Sequence, residues 1–202
     1  MAAKIKLNII SIVLILTVSF LPTPVSASNS SFSSLQSGLT AIIDSDEDER
    51  NSPLREIDIV NLISFQIVQQ PTGNSNFVTP LPNYVTAYQK ASKYGTIGLL
   101  AHNYLAGRYF FQILPGQEIE LVYDDNQTDK FVVTEIQQYQ ALSPDSPSSD
   151  FIDLDTGNFF TTSKLFRKIY IDQADRLVLQ TCIYADQNTT WGRLFIIAEP
   201  IE

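Results

Sequence analysis

From Ile57 onward the apolar residues fall into short runs, "EIDIVNLISFQIV", "TIGLLAH", "RYFFQIL", "EIELVY", "KFVVTEIQQY", "RLVLQTCI" and "RLFIIAE", with Pro, Gly and Asn breaks between them. Runs of this kind fit strands buried on one face or on both, and predict a mainly β barrel or sandwich. "LPGQE", from Leu114 to Glu118, and "DDNQTD", from Asp124 to Asp129, have the composition of tight connections between consecutive strands. "PNYVTAYQKASKYG", from Pro82 to Gly95, reads differently. It is rich in helix formers and ends in a glycine suited to a C-terminal cap, so a short helix is expected there. The stretch "SPDSPSSDFIDLDTGNFFTTSKLF", from Ser143 to Phe166, separates the Phe131 strand from the Arg176 strand and reads as a functional or mobile loop. There is no internal repeat.

The N-terminal residues follow another pattern. Lys4 and Lys6 precede thirteen mainly apolar residues, Ile9 to Leu21, and then "PTPVSAS". This is the pattern of a secretory signal peptide over residues 1–27, cleaved after Ala27, and the apolar run falls short of the ~20 residues of a membrane-spanning helix. An N-terminal membrane anchor is the alternative. Residues 28–54, serine-rich and then acidic, form the expected disordered tether, with a short helix near Leu35 to Ile43. Residues 55–202 remain as one domain with a core of its own.

Charge and cysteine count narrow the function. The 202 residues carry 22 acids and 13 bases, a net charge of −9, and losing the two lysines of the leader would make it −11. No basic footprint for nucleic acid exists. Cys182 is the only cysteine, so no internal disulfide can form. An exported chain gains nothing from an exposed unpaired thiol, so Cys182 is either buried or reactive.

His102, the only histidine, ends the run "TIGLLA", where a strand would reach the rim of a barrel. Cys182 ends "RLVLQTC", ten residues from Ile183 to Gly192 form a connection, and Arg193 opens "RLFIIAE". If the two strands pair as a hairpin, thiol and guanidinium face each other across its open end, ~5 Å apart at Cβ. Alternation sets Cys182 and Val178 apart from Leu177, Leu179 and Thr181. A free thiol is only a few per cent ionised at neutral pH and needs a base or cation beside it, for which imidazole is suited. A permanently charged guanidinium can hold an oxyanion. Nucleophile, base and oxyanion stabiliser are the minimum set for acyl transfer.

These residues resemble the sortases, cysteine transpeptidases whose signature Thr-Leu-x-Thr-Cys ends a strand. Here it reads "VLQTC", Val178 to Cys182, with valine for the first threonine; His102 in "IGLLAHN" and Arg193 in "GRLFIIAE" fill the other two places. The likeness covers roughly Ile57 to Glu199. It implies a closed β-barrel of about eight strands with one or two short helices. It implies that Cys182 forms a thioester with a sorting-signal peptide, that His102 handles the protons, and that Arg193 holds the oxyanion or the substrate backbone. The partners implied are a peptide or protein sorting signal and an amine of the cell wall or of a protein. The setting implied is extracellular or cell-envelope, soluble after cleavage or associated with a membrane through the N-terminus.

Candidate substrate-binding residues are Thr181 and Asn103, next to the thiol and the imidazole, and Tyr104, Tyr184 and Trp191, aromatic residues that could line a peptide groove. No cofactor is expected. Asp145, Asp150, Asp153 and Asp155 have calcium-ligand character, but no full ligand set appears, and a flexible acidic loop is the expected reading. The segment "IYADQNTTW" matches no sortase class pattern. Three classes stay open: a transpeptidase, a thiol hydrolase on the same barrel, and a secreted binding module with a structural cysteine.

Overall fold

The computed structural model describes residues 52–172 and 174–201. The leader, almost all of the tether and the helix expected near Leu35 lie outside the described residues. Ten strands follow one another: β1 (Leu54–Ile59), β2 (Ile63–Gln69), β3 (Tyr84–Ala87), β4 (Ile97–Leu100), β5 (Glu118–Tyr123), β6 (Thr128–Ala141), β7 (Phe151–Asp153), β8 (Phe159–Phe160), β9 (Leu177–Ala185) and β10 (Asn188–Pro200). The sheet order is β10-β9-β4-β3-β2-β1-β5-β6, and β6 pairs back onto β10. Eight strands therefore close into a barrel, and β7 and β8 extend from the far end of β6. Closure removes every edge from those eight strands. The pairings β2–β3 and β4–β9 are parallel, and the others are antiparallel.

Two apolar layers account for the sequence pattern. The barrel interior holds Ile57, Phe65, Leu99, Leu121, Phe131, Leu179 and Ile196, all essentially inaccessible. A second cluster lies outside the barrel wall, where Val178, Phe195 and Ile197 meet Tyr139, Phe151, Leu165, Ile169 and Tyr170. β9 and β10 read as nearly continuous apolar runs because both of their faces are covered: Leu194 and Ile196 point inward, Phe195 and Ile197 outward.

The outer cover comes from the stretch Ser143 to Phe166, expected as a long loop. It is instead built from β7, β8 and the helix α2 (Thr162–Phe166), followed by a π-turn (Arg167–Ile171). Its apolar positions, Phe151, Leu165 and Ile169, are too sparse to show a period in the sequence, yet each is buried against the barrel. Thr161 caps α2 by accepting from the Lys164 amide.

Three further expectations are corrected. Four residues of the helix expected over Pro82 to Gly95 are strand β3, because "YVTA" is rich in β-branched and aromatic residues and is paired on both sides. The helix α1 is only Gln89–Ser92, with Gly95 in the left-handed region behind it at φ +77°. "RYFFQIL" is not a strand: a 3-10 helix spans Ala106–Gln112, burying Ala106 and Phe110 at helical spacing, and "LPGQE" joins this helix to β5. A short apolar run cannot by itself distinguish these periods. The folded chain also begins before residue 55. Leu54 pairs with Tyr123, and the Asp124 amide donates to the Pro53 carbonyl.

Candidate active site

Register on neighbouring strands decides which side chains share a level. Across β9 and β10, Cys182 is directly opposite Arg193. The strands run three residues farther than expected on the cysteine side and five farther on the arginine side. The connection is then only Asp186 and Gln187, at φ 49° and 62°, the signature of a tight primed turn. Across β9 and β4, Leu99 is level with Leu179 and Leu100 with Gln180, and the Ala101 amide donates to the Gln180 carbonyl at 3.1 Å. His102 lies two residues past Leu100, at the end of β4, as Cys182 lies two residues past Gln180 on β9; the ladder itself runs no farther than the Ala101 amide. Cys182 and Arg193 thus sit side by side on strands about 4.8 Å apart, and His102 follows the end of the strand on the other side of β9.

The face follows from alternation. Cys182 shares a face with Val178, and Arg193 with Phe195 and Ile197, all of which pack outside the barrel. Cys182 and Arg193 therefore lie on the outer wall at the barrel's rim, and Cys182, His102 and Arg193 are each half-buried. Thr181 points the other way: it is buried in the barrel interior, and its hydroxyl donates to the Ala101 carbonyl at 2.8 Å. Its side chain joins β9 to the end of β4 just before His102 and offers no group to the outer face.

The imidazole loop is held by its own backbone and by one side chain. The amides of Leu105 and Gly107 both donate to the His102 carbonyl at 3.0 Å. The Tyr104 ring stacks on His102, centroids 5.2 Å apart and 20° between planes. Asn103 Nδ2 donates to the Thr189 carbonyl at 2.9 Å, tying this loop to the β9–β10 turn. Gly107 is required by close approach. A Cβ there would collide with the Thr181 hydroxyl and lie 2.8 Å from the His102 carbonyl oxygen.

Arg193 is fixed at one end of its fork. Its Nη1 donates to the carbonyls of Thr190 at 3.0 Å and Gly192 at 2.8 Å, and its guanidinium lies 6.0 Å from the Phe151 ring centroid. Among the described residues no protein acceptor meets Nε or Nη2, so one side of the guanidinium keeps its donors for another molecule.

Two hollows flank the site. Beyond the strand ends, Asn103, Tyr104, Phe111, Ile183, Tyr184 and Thr189 line a space of about 310 Å³. Tyr104 and Tyr184 are 61% exposed there, whereas Trp191, half-buried on β10, is not one of its walls. On the other side a groove of about 460 Å³ runs along the outer wall. Gln180, Arg193 and Phe195 line it from the barrel, and Tyr88, Lys90 and Tyr94, packed on Phe166, line it together with Phe151 and Thr162.

Sequence reasoning missed this groove, because its walls come from a stretch that reads as loop and from α1. Gln180, two residues before Cys182 on the same face, accepts a hydrogen bond of 2.6 Å from the Tyr170 hydroxyl. Burial pushes that hydroxyl well above its ordinary pKa of 10, so it stays a donor. The Gln-x-Cys spacing was the available signal.

In the acidic stretch two carboxylates accept backbone hydrogen bonds. Asp150 accepts from the Thr162 amide, and one oxygen of Asp153 accepts from the amides of Asp155 and Thr156. These carboxylates cap turns. Among the described residues no group of three His, Cys, Asp or Glu could hold a metal ion.

A closed eight-strand barrel with a thiol opposite a guanidinium, and an imidazole just past the end of the adjoining strand, defines the fold and the candidate site. No protein-family model and no curated protein matches the chain. Among solved structures it is similar to sortase A of Listeria monocytogenes, at 15% identity and TM-score 0.45, covering 73% of this chain and 86% of that one. It is similar also to a Clostridium perfringens sortase D5 transpeptidase, at 17% identity and TM-score 0.45 over 74% and 79% of the two chains. Sortase C from Clostridium perfringens SM101 gives 18%, 0.45, and 74% and 70%. The likeness is one of fold.

Proposed function

We propose that this chain is a cysteine transpeptidase of the sortase kind, acting on a peptide laid along the outer groove. The observation that carries the reading is Cys182 directly opposite Arg193 on the outer face of one hairpin, with His102 two residues past the end of the neighbouring β4. The "VLQTC" signature, with histidine and arginine in the matching places, supports it independently.

The Cys182 sulfur attacks a peptide carbonyl carbon, and the tetrahedral oxyanion meets the free donors of Arg193. His102 gives a proton to the leaving amine as the C–N bond breaks, leaving a thioester on Cys182. A second amine then attacks the thioester, loses its proton to His102, and departs in a new amide as the C–S bond breaks and the thiolate returns. Donors aimed at the oxyanion contribute most where water is excluded, and the aromatic walls of the groove favour that exclusion. The acceptor proposed is an amine of the cell wall or of a protein, and the setting is the cell envelope. Among the described residues no helix is long and apolar enough to cross a membrane.

The test is product analysis. The protein is incubated with a library of sorting-signal-like peptides and excess glycine oligomers. A new amide joining peptide fragment to glycine, absent with Cys182→Ala, is the expected result. Hydrolysed peptide alone at saturating amine would assign the barrel to thiol hydrolysis, and no product from any peptide would count against catalysis.

A further inference from the structure

The groove beside the catalytic site has a charge pattern opposite to that of the chain. The sequence holds 22 acidic and 13 basic residues, yet none of the groove's lining residues is acidic and two of them, Lys90 and Arg193, are cations. Asp150, whose Oδ1 accepts from the amide of the lining residue Thr162, serves the backbone there. Arg193 belongs to the catalytic site. Lys90 does not: it is exposed on α1 with its Nζ 4.2 Å from the Phe166 ring centroid, and among the described residues no carboxylate pairs with it.

The place of Lys90 relative to the thiol is set by packing. α1 lies so close to β4 that a Cβ on Gly98 would be 2.8 Å from the Ala91 Cβ and 3.3 Å from the Tyr170 ring. Gly98 is level with Val178, which precedes Cys182 by four residues on the same face. At ~3.3 Å per residue this contact lies about 13 Å from the thiol along β9. An extended peptide covers that distance in about four residues.

We infer that the substrate peptide carries a carboxylate side chain about four residues from the carbonyl that Cys182 attacks, and that this carboxylate pairs with Lys90 beside Phe166. Tyr88, Tyr94 and Phe166 supply apolar area for the residues between. A lone cation over low-dielectric walls, in an otherwise acidic surface, concentrates its field on an acidic segment and repels a basic one. The register rests on the reading of Cys182 as nucleophile, whereas binding can be measured without catalysis.

The test is an NMR titration of the Cys182→Ala protein, which reads weak Kd values. The probes are dodecapeptides of Ala, Val, Leu and Thr in which a single Asp, Asn or Lys is moved along the chain. The Asp peptide should bind roughly twofold to fivefold more tightly than its Asn counterpart at one position, as exposed ion pairs do, and less so at high salt. That advantage should vanish in Lys90→Gln and pass to the Lys peptide in Lys90→Glu. Equal binding of Asp and Asn peptides at every position, no shift of groove resonances with any peptide, or an Asp advantage that survives in Lys90→Gln would each overturn the inference. An Asp preference of the predicted kind without any acyl-enzyme on the unsubstituted protein would leave the pairing standing and refute the nucleophile. Acyl-enzyme formation without an Asp preference would do the reverse.

Discussion

Adjacent residues on one strand divide the work at this site: Thr181 holds the barrel from inside while Cys182 is presented outside. The division follows from the two-residue period of a strand. Replacing Thr181 by Val removes the bond to the Ala101 carbonyl and leaves that oxygen unpaired in the interior. Destabilisation of about 1–2 kcal/mol in chemical denaturation is expected, with Thr181→Ser restoring most of it. Gly107→Ala forces the 3-10 helix off β9 and disturbs the His102 turn, so a loss of roughly 1–3 kcal/mol is expected together with slower acyl-enzyme formation. Of the catalytic site, the Cys182–Arg193 pairing was legible because both residues belong to one hairpin. The approach of the His102 loop to β9 was not, since it depends on β4 running parallel to β9 across a separation of about eighty residues that no local pattern reports.

At the level of elements, the β9–β10 hairpin fixes the site's register, and its turn is imperfectly matched to its geometry. Asp186 and Gln187 are both in the left-handed region, where Asn-Gly or Asp-Gly is the usual pair. Gln187→Gly should therefore raise stability by about 0.4–1 kcal/mol, read as a higher Tm with unchanged product formation. The elements that sequence reading recovered are those with a clear alternation, as in "EIELVY", or a long β-branched and aromatic apolar run, as in "RLFIIAE". The ones it misread are short apolar runs. "RYFFQIL" carries a helical spacing too brief to register, and "YVTA" is a strand embedded among helix formers. The outer cover escaped because its few buried residues touch the barrel from separate short pieces, β7, α2 and the π-turn. That cover supplies much of the groove, so the missing elements and the missing half of the site have one cause.

At the scale of the whole molecule, the second apolar layer gives the fold a pH signature. Burial pushes the hydroxyls of Tyr88, Tyr139 and Tyr170 up from their ordinary pKa of 10, and the carboxylates of Asp153 and Glu135 add to the effect on Tyr139. The folded state holds these protons more tightly than the unfolded chain. Their contribution is therefore complete below about pH 10 and is lost as pH rises through the folded values. Denaturant melts should show stability falling above pH 10 by up to about 1.4 kcal/mol per pH unit for each such tyrosine, with a shallower fall in Tyr170→Phe. The central claim concerns the outer wall: His102, Cys182 and Arg193 act as one unit on a peptide carbonyl. Intact-mass spectrometry of the protein with the peptide library and no amine tests it most directly. The account predicts a hydroxylamine-labile adduct on Cys182, absent in Cys182→Ala. It should form about 10²-fold or more slowly in His102→Ala and in Arg193→Gln. Failure of every peptide to give an adduct, or an adduct whose rate is indifferent to His102 and Arg193, would contradict it.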